Sequence, residues 1–293
     1  MLGKSRKLIY LFPFIVYMSI FFLYGIYYGI MNSFGFNRII GESGFTLEYY
    51  SRVFEDESFV RSLLFTTKIS VVSASISLIL SVGLLFLIYI NMKNKYFNFK
   101  LFQKIVESPL LIPYIIAAYA ILILFMQSGI LSKFLINLGV IESYKEFPIL
   151  TNDKTGIGII FTYVWKTIPF IVMMTTPIIV KIKNRWEPLA RVYNLRDIDF
   201  FIRIILPLIF PTLLVSFFII LAYFFTAFET PYILGVTYPK SIAVYVFELY
   251  STGKLEDRGI IMCINICITV ISLSVGGVVY YLTKLFTKVD ERG

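Results

Sequence analysis

The sequence predicts an all-α membrane protein of six transmembrane helices, with a structured cytoplasmic loop between the fourth and the fifth. Three observations predict this class. The hydrophobic share of the 293 residues is 58% and the mean hydropathy is +0.81, too high for an ordinary soluble globular chain. Apolar runs long enough to cross a bilayer, which takes about 20 residues, recur along the whole chain. None of them carries the polar stripe at helical period that a soluble bundle helix needs.

In chain order the spans fall at about 8–31, 69–92, 108–131, 155–180, 204–228 and 259–283. Only the fourth is interrupted by a charge, Lys166. Lys4, Arg6 and Lys7 precede the first run as they would in a signal peptide, but the run is too long and no small-residue cleavage site follows it, so it reads as a retained helix. Residues 32–61, 132–154 and 229–258 are outward loops, and Thr46-Leu-Glu-Tyr-Tyr50 in the first of them predicts a short surface helix. Pro109 and Pro113 break the third span near its cytoplasmic end, and Pro207 and Pro211 do the same in the fifth. Gly25-Ile-Tyr-Tyr-Gly29 fits the small-xxx-small pattern of close helix packing as well as it fits ordinary glycines. No soluble domain, repeat or linker divides the chain, so 1–293 reads as one transmembrane domain.

Orientation follows from charge. With both termini inside, 16 of the 27 Lys/Arg lie on the cytoplasmic side, among them Lys93, Lys95, Lys100 and Lys104 in the first inward loop and Lys284, Lys288 and Arg292 at the end. Twelve of the 18 acids fall outside or near it. The positive-inside rule accounts for the net charge of +9, so no nucleic-acid partner is needed. The absence of histidine excludes a His metal site or a His general base. Cys263 and Cys267 are four apart on one helix and cannot pair with each other.

The second inward loop, 181–207, carries six Lys/Arg and is the most informative stretch. Pro188 suits a first helical turn, with Glu187 just before it. A short helix through Leu189, Ala190, Arg191 and Val192 would stop near Asn194, a residue type that tolerates the left-handed conformation. Asp197 would cap a second helix that runs into the fifth span, with Ile198, Phe201, Ile202 and Ile205 on its apolar face. The expected motif is helix, sharp turn, helix, with the first helix lying across the membrane surface. It suits a knob for a soluble partner, or a membrane-surface helix with no partner.

Pro188-Leu-Ala-Arg-Val-Tyr-Asn-Leu, followed by Phe201, Ile204, Leu206 and Pro207, resembles the EAA loop of bacterial ABC-importer permeases. Counted back from Leu206-Pro207, Ala190 falls on that pattern's second Ala and Asn194 on its Gly. Pro188 stands where the pattern has Glu, and Glu187 lies one residue earlier. Leu11-Phe-Pro-Phe, Thr46-Leu-Glu-Tyr-Tyr and Pro109-Leu-Leu-Ile-Pro113 resemble the same permeases, and Phe228-Glu-Thr-Pro-Tyr-Ile-Leu-Gly235 with Tyr238-Pro239 resembles their spermidine/putrescine branch. The resemblance implies a type I importer: a second permease subunit, forming a heterodimer, an ABC ATPase dimer below, and an extracellular solute-binding protein. It also implies that Glu187, Pro188, Ala190, Arg191, Asn194, Leu195 and Pro207 couple to the ATPase. No G-x-x-x-x-G-K-[S/T] loop is present, so ATP and magnesium belong to a partner chain and this chain needs no cofactor and no catalytic residue of its own.

Ionisable and polar groups at membrane depth are the path candidates: Glu229 at the end of span five, Tyr223, Asn265, and Lys166 in span four. Lys166 and Lys68 are long enough to snorkel to the outer surface instead. Glu229 suits a cationic, polyamine-like solute. A self-contained secondary transporter, or an importer of an anion, a metal or a vitamin, is the alternative. The span centres show none of the midplane acids that a secondary transporter favours.

Overall fold

The computed structural model describes residues 2–37, 41–92, 98–255 and 257–290. Lys93, Lys95, Glu291 and Arg292 of the charge count lie outside the described residues. The architecture is helical: α1 (Leu2–Ser33), α2 (Glu48–Glu55), α3 (Glu57–Asn91), α4 (Phe99–Glu107), α5 (Tyr114–Phe125), α6 (Ile130–Asn137), α7 (Ile157–Val192), α8 (Asp197–Phe200), α9 (Leu206–Thr226), α10 (Glu229–Leu234), α11 (Ile242–Ser251) and α12 (Asp257–Asp290). A two-residue antiparallel ladder pairs Phe36–Asn37 with Glu42–Ser43. Among the described residues six helical stretches are long and apolar enough to cross a membrane: Leu11–Ser33, Glu57–Asn91, Tyr114–Asn137, Ile157–Val192, Asp197–Thr226 and Asp257–Val278.

The chain packs as two units, residues 1–60 with 245–271, and residues 61–244 with 272–293. In the first unit Ser33 and Tyr50 hydroxyls hydrogen-bond at 3.0 Å, and the Tyr245 hydroxyl donates to the Asp56 carboxylate. Burial first, and then that carboxylate, raises the Tyr245 pKa well above the usual phenol value.

The second unit is built on α3, α5, α7 and α9. Along α3, Ser62, Thr66, Ser70, Ser73, Ser77 and Ser81 recur at helical spacing and are all buried. Their small side chains let neighbouring backbone come close. The hydroxyls also tie neighbouring segments together: Ser77 and Thr167 hydrogen-bond at 2.7 Å, and the Ile242 N–H donates to Thr66 Oγ1 at 2.8 Å. Tyr163 of α7 stacks face to face on Phe224 of α9, with centroids 4.0 Å apart.

The second span begins at Glu57 rather than 69 and the fifth at Asp197 rather than 204, and the third and fourth depart from the expected boundaries for local reasons. The third begins at Tyr114, because a 3-10 turn over Ser108–Leu111 and the extended residue Ile112 separate it from α4. It breaks again before α6 at Gly129, where an added Cβ would lie 2.6 Å from the Ile123 carbonyl oxygen. The fourth span does not stop at 180. It continues through Pro169, Pro177 and Pro188 to Val192. Buried threonine hydroxyls bond carbonyls four residues back along it, Thr175 to Ile171 and Thr176 to Val172.

Candidate functional site

The end of α7 and the turn after it form the first candidate region. The expected short surface helix is not separate: Leu189–Val192 is the last turn of the fourth span, and Pro188 sits inside the helix rather than at its start. The stop falls where the residue chemistry requires it. Asn194 has φ +50°. Its N–H donates to the Arg191 carbonyl at 3.1 Å, and the Leu195 N–H donates to the Ala190 carbonyl at 3.0 Å. These two bonds around a left-handed residue make a Schellman cap, which satisfies carbonyls that the helix leaves open.

The cap predicts a contrast. Asn194→Gly should fold and function normally, because glycine takes this conformation freely. Asn194→Val should be destabilised by about 1–2 kcal/mol, since a β-branched residue resists it. Parallel melts of the two variants check this, and equal melting temperatures would contradict it.

Asp197 does not cap the next helix. Arg196 occupies that position and Asp197 is the first helical residue of α8. Arg196 instead pairs with Asp199 at 2.7 Å. A π-turn over Phe201–Ile205 then leads into α9. Its wider bonding suits the approach of Pro207, which has no N–H to give. Phe201 meets Phe86 edge-on at 5.0 Å and Phe200 stacks against Tyr89 at 5.8 Å, so the start of span five is seated on the end of span two. Lys183 donates to the Met92 carbonyl at 3.0 Å, a cation at the α3 C-terminus, where the helix dipole favours it.

Within this frame the predicted residues divide. Ala190 is 6% exposed and belongs to the core with Ile182 and Phe200, so it faces its own protein. Glu187 is also buried and pairs with the exposed Arg191 at 3.1 Å. A 320 Å³ cavity lies between Lys183, Asn184, Glu187, Pro188 and Arg191. The tip is Val192 and Tyr193, 77% and 78% exposed. Sequence reasoning passed over both. Their signal was position: they directly precede the left-handed residue.

The second region is the break in span three. Lys166 does not snorkel. It is 3% exposed, and its ammonium donates to the carbonyl of Pro109 at 2.5 Å and to that of Ile112. It also lies 4.7 Å from the centroid of the Tyr114 ring. The break leaves the Ile112 carbonyl open and the Pro109 carbonyl with one long bond, from the Ile112 N–H at 3.3 Å, and a buried cation needs such acceptors. Tyr114 in turn packs against Tyr223 at 5.0 Å. A cavity of 470 Å³ opens beside them, lined by Leu110–Tyr114, Lys166, Thr167, Phe170, Ile219, Ile220 and Tyr223. Among the described lining residues Lys166 is the one that carries a full charge.

Glu229 does not line that cavity. It is exposed at the first turn of α10, where a carboxylate complements the helix N-terminus. Asn265 belongs to the other unit, on an exposed position of α12, and its carbonyl accepts from the Thr269 hydroxyl. Lys68 is exposed on α3.

No family model and no curated protein matches the sequence. Solved structures do match. A chain of a bacterial ABC transporter involved in the import of the acidic polysaccharide alginate superposes with a TM-score of 0.75 at 20% identity, over 96% of each chain. A chain of a bacterial alginate ABC transporter, in complex with an alginate pentasaccharide-bound periplasmic protein, gives 0.74 at 21% identity, over 97% of this chain and 96% of that one. The fold is that of these ABC-transporter chains. The expected resemblance holds at the level of fold over nearly the whole chain, and the spermidine/putrescine branch gains no support from it.

Proposed function

We propose that the chain is a permease subunit of a bacterial ABC importer in the inner membrane, with both termini cytoplasmic. It forms half of a solute path and pairs with a second permease subunit. A separate ATPase dimer, which carries ATP and magnesium, grips the 187–207 loop, and an extracellular binding protein delivers solute. The observation that carries this reading is the rigidly capped, apolar tip at Val192–Tyr193, set on the same helix whose Lys166 lines the inner cavity. Movement of the tip is movement of the path wall.

For the solute, the polyamine reading rested on the resemblance of the 228–239 stretch to the spermidine/putrescine branch and on Glu229, whose place the α10 N-terminus accounts for. Among the described residues that line the cavity beside span three the only full charge is the Lys166 ammonium, and Glu229 reaches its Tyr114 and Tyr223 only through its field. A saccharide, acidic as in the similar transporters, fits the tyrosine- and lysine-lined wall better.

The membrane orientation is tested by labelling. In a variant lacking Cys263 and Cys267, Tyr193→Cys should resist a membrane-impermeant maleimide in intact cells and react once the cells are opened. Labelling of intact cells would reverse the topology. The importer assignment is tested by affinity purification of the full chain from its native membrane, which should bring down an ATPase that binds ATP. A chain that transports in vesicles without any ATPase would be a secondary transporter.

A further inference from the structure

A second concavity lies at the other end of α7. It measures 720 Å³ and is lined by Asn152, Lys154, Tyr232, Ile233 and the 235–238 segment with Thr237 and Tyr238. It is more polar than the span-three cavity: beside two aromatic plates and a hydroxyl it has an amide, and its ammonium, Lys154, is exposed where Lys166 is buried. Its size falls within the range of about 300–1,000 Å³ usual for small-molecule sites.

The frame of this concavity is fixed. The Asn152 N–H donates to the Leu234 carbonyl at 2.9 Å, which pins the 152 turn to the end of α10. Asp153 accepts from the Thr155 hydroxyl, from the Thr155 N–H at 2.9 Å and from the Ile157 N–H at 3.2 Å, and this sets the turn that carries Lys154. Gly235 closes the opposite side, where a Cβ would come within 2.4 Å of the Pro231 carbonyl oxygen. Both aromatic plates are supported by a neighbour. Tyr232 stacks on Phe228 at 4.9 Å and remains 56% exposed. Tyr238 carries the Arg61 guanidinium 5.5 Å from its centroid and remains 45% exposed.

We infer that this concavity is a receiving site for an acidic saccharide, ahead of the membrane path; the inference rests on the importer reading. Sugar rings present C–H faces of partial positive charge, which suit the negative faces of Tyr232 and Tyr238. Asn152 and Thr237 both donate and accept, as sugar hydroxyls require. Lys154 supplies a charge-assisted bond to a carboxylate, and no acid lines the site to oppose it. Because the frame is held before the ligand arrives, little ordering is needed on binding.

The test uses the full chain in nanodiscs, with digalacturonate and the neutral disaccharide maltose titrated at low salt and followed by saturation-transfer NMR. Digalacturonate should bind at least ten-fold more tightly than maltose. Tyr232→Ala should weaken both about ten-fold or more. Lys154→Gln should lower digalacturonate to the level of maltose and leave maltose unchanged. Transfer to digalacturonate no greater than in empty nanodiscs, or equal in wild type and both variants, would overturn the site. Co-purification of the ATPase, followed in the same preparations, separates the two readings. Its retention without sugar binding sinks this site alone, and its absence sinks the importer.

Discussion

Replacing Val192 and Tyr193 together by serine should strip the ATPase from the purified chain and abolish import, while the chain still inserts and melts as the wild type does. Both side chains stand almost fully in solvent at the end of α7, so their loss leaves no cavity in the protein. An exposed aromatic seated in a partner's cleft typically contributes about 2 kcal/mol or more, roughly thirty-fold in affinity. Quantitative pull-down against a tagged ATPase, beside a thermal melt, reads both halves of the expectation. Retained ATPase would move the coupling surface away from the tip. Ala190→Arg, at the position that falls on the loop pattern's second Ala, is a poorer probe. Ala190 is buried in the core of the second unit, so arginine there would disturb the fold before it disturbed a partner.

Lys166→Met should destabilise the chain more than any other single replacement of a polar residue in the membrane core. Methionine follows the lysine stem to Cε and removes the donors, leaving the half-buried Ile112 carbonyl without its cation and the Pro109 carbonyl with only the Ile112 N–H at 3.3 Å. Each unsatisfied carbonyl costs about 1–3 kcal/mol. The break between α4 and α5 would then be free to rearrange, and with it the wall of the span-three cavity. A fall of several degrees in melting temperature in detergent is expected, together with loss of import. An unchanged melt would show that the carbonyls find other partners and that Lys166 is not what holds the break. Lys166→Arg separates charge from fit. The bulkier guanidinium keeps the charge but cannot enter the same space, so it should restore little.

The six spans were legible in the sequence because hydropathy is summed over many residues and tolerates local error. The left-handed turn was legible for a different reason: few residue types accept positive φ, and Asn194 stood at the end of an apolar run. The ends of the elements were less so. Pro188 reads as a helix start in isolation, yet packing of Glu187 and Ala190 into the core carries the helix through it. Lys166 was singled out as an intramembrane charge, but its partners are backbone carbonyls 54 and 57 residues away, which carry no side-chain signature. Glu229 was given weight as a lone carboxylate near a span end, and the six-residue helix that begins with it explains its place. The tip residues and the concavity around Tyr232 and Tyr238 depend on exposure in three dimensions, which the chain order alone does not encode.

Helix α7 has 36 residues, hence a length of about 54 Å at 1.5 Å per residue, against a hydrocarbon layer of about 30 Å. Roughly 24 Å is left over to stand in the interfacial layers and the water. In the proposed permease such a rod would act as an oar through a rowlock. A tilt of about 10° at the membrane, where Pro169 and Pro177 remove two backbone hydrogen bonds, sweeps a blade of about 20 Å through some 3–4 Å. The gearing also runs the other way: a modest stroke imposed on Tyr193 from below turns the tyrosine- and lysine-lined wall by an angle rather than a distance. Stroke length at the tip and aperture at the wall are then set by one number, the position of the fulcrum along α7.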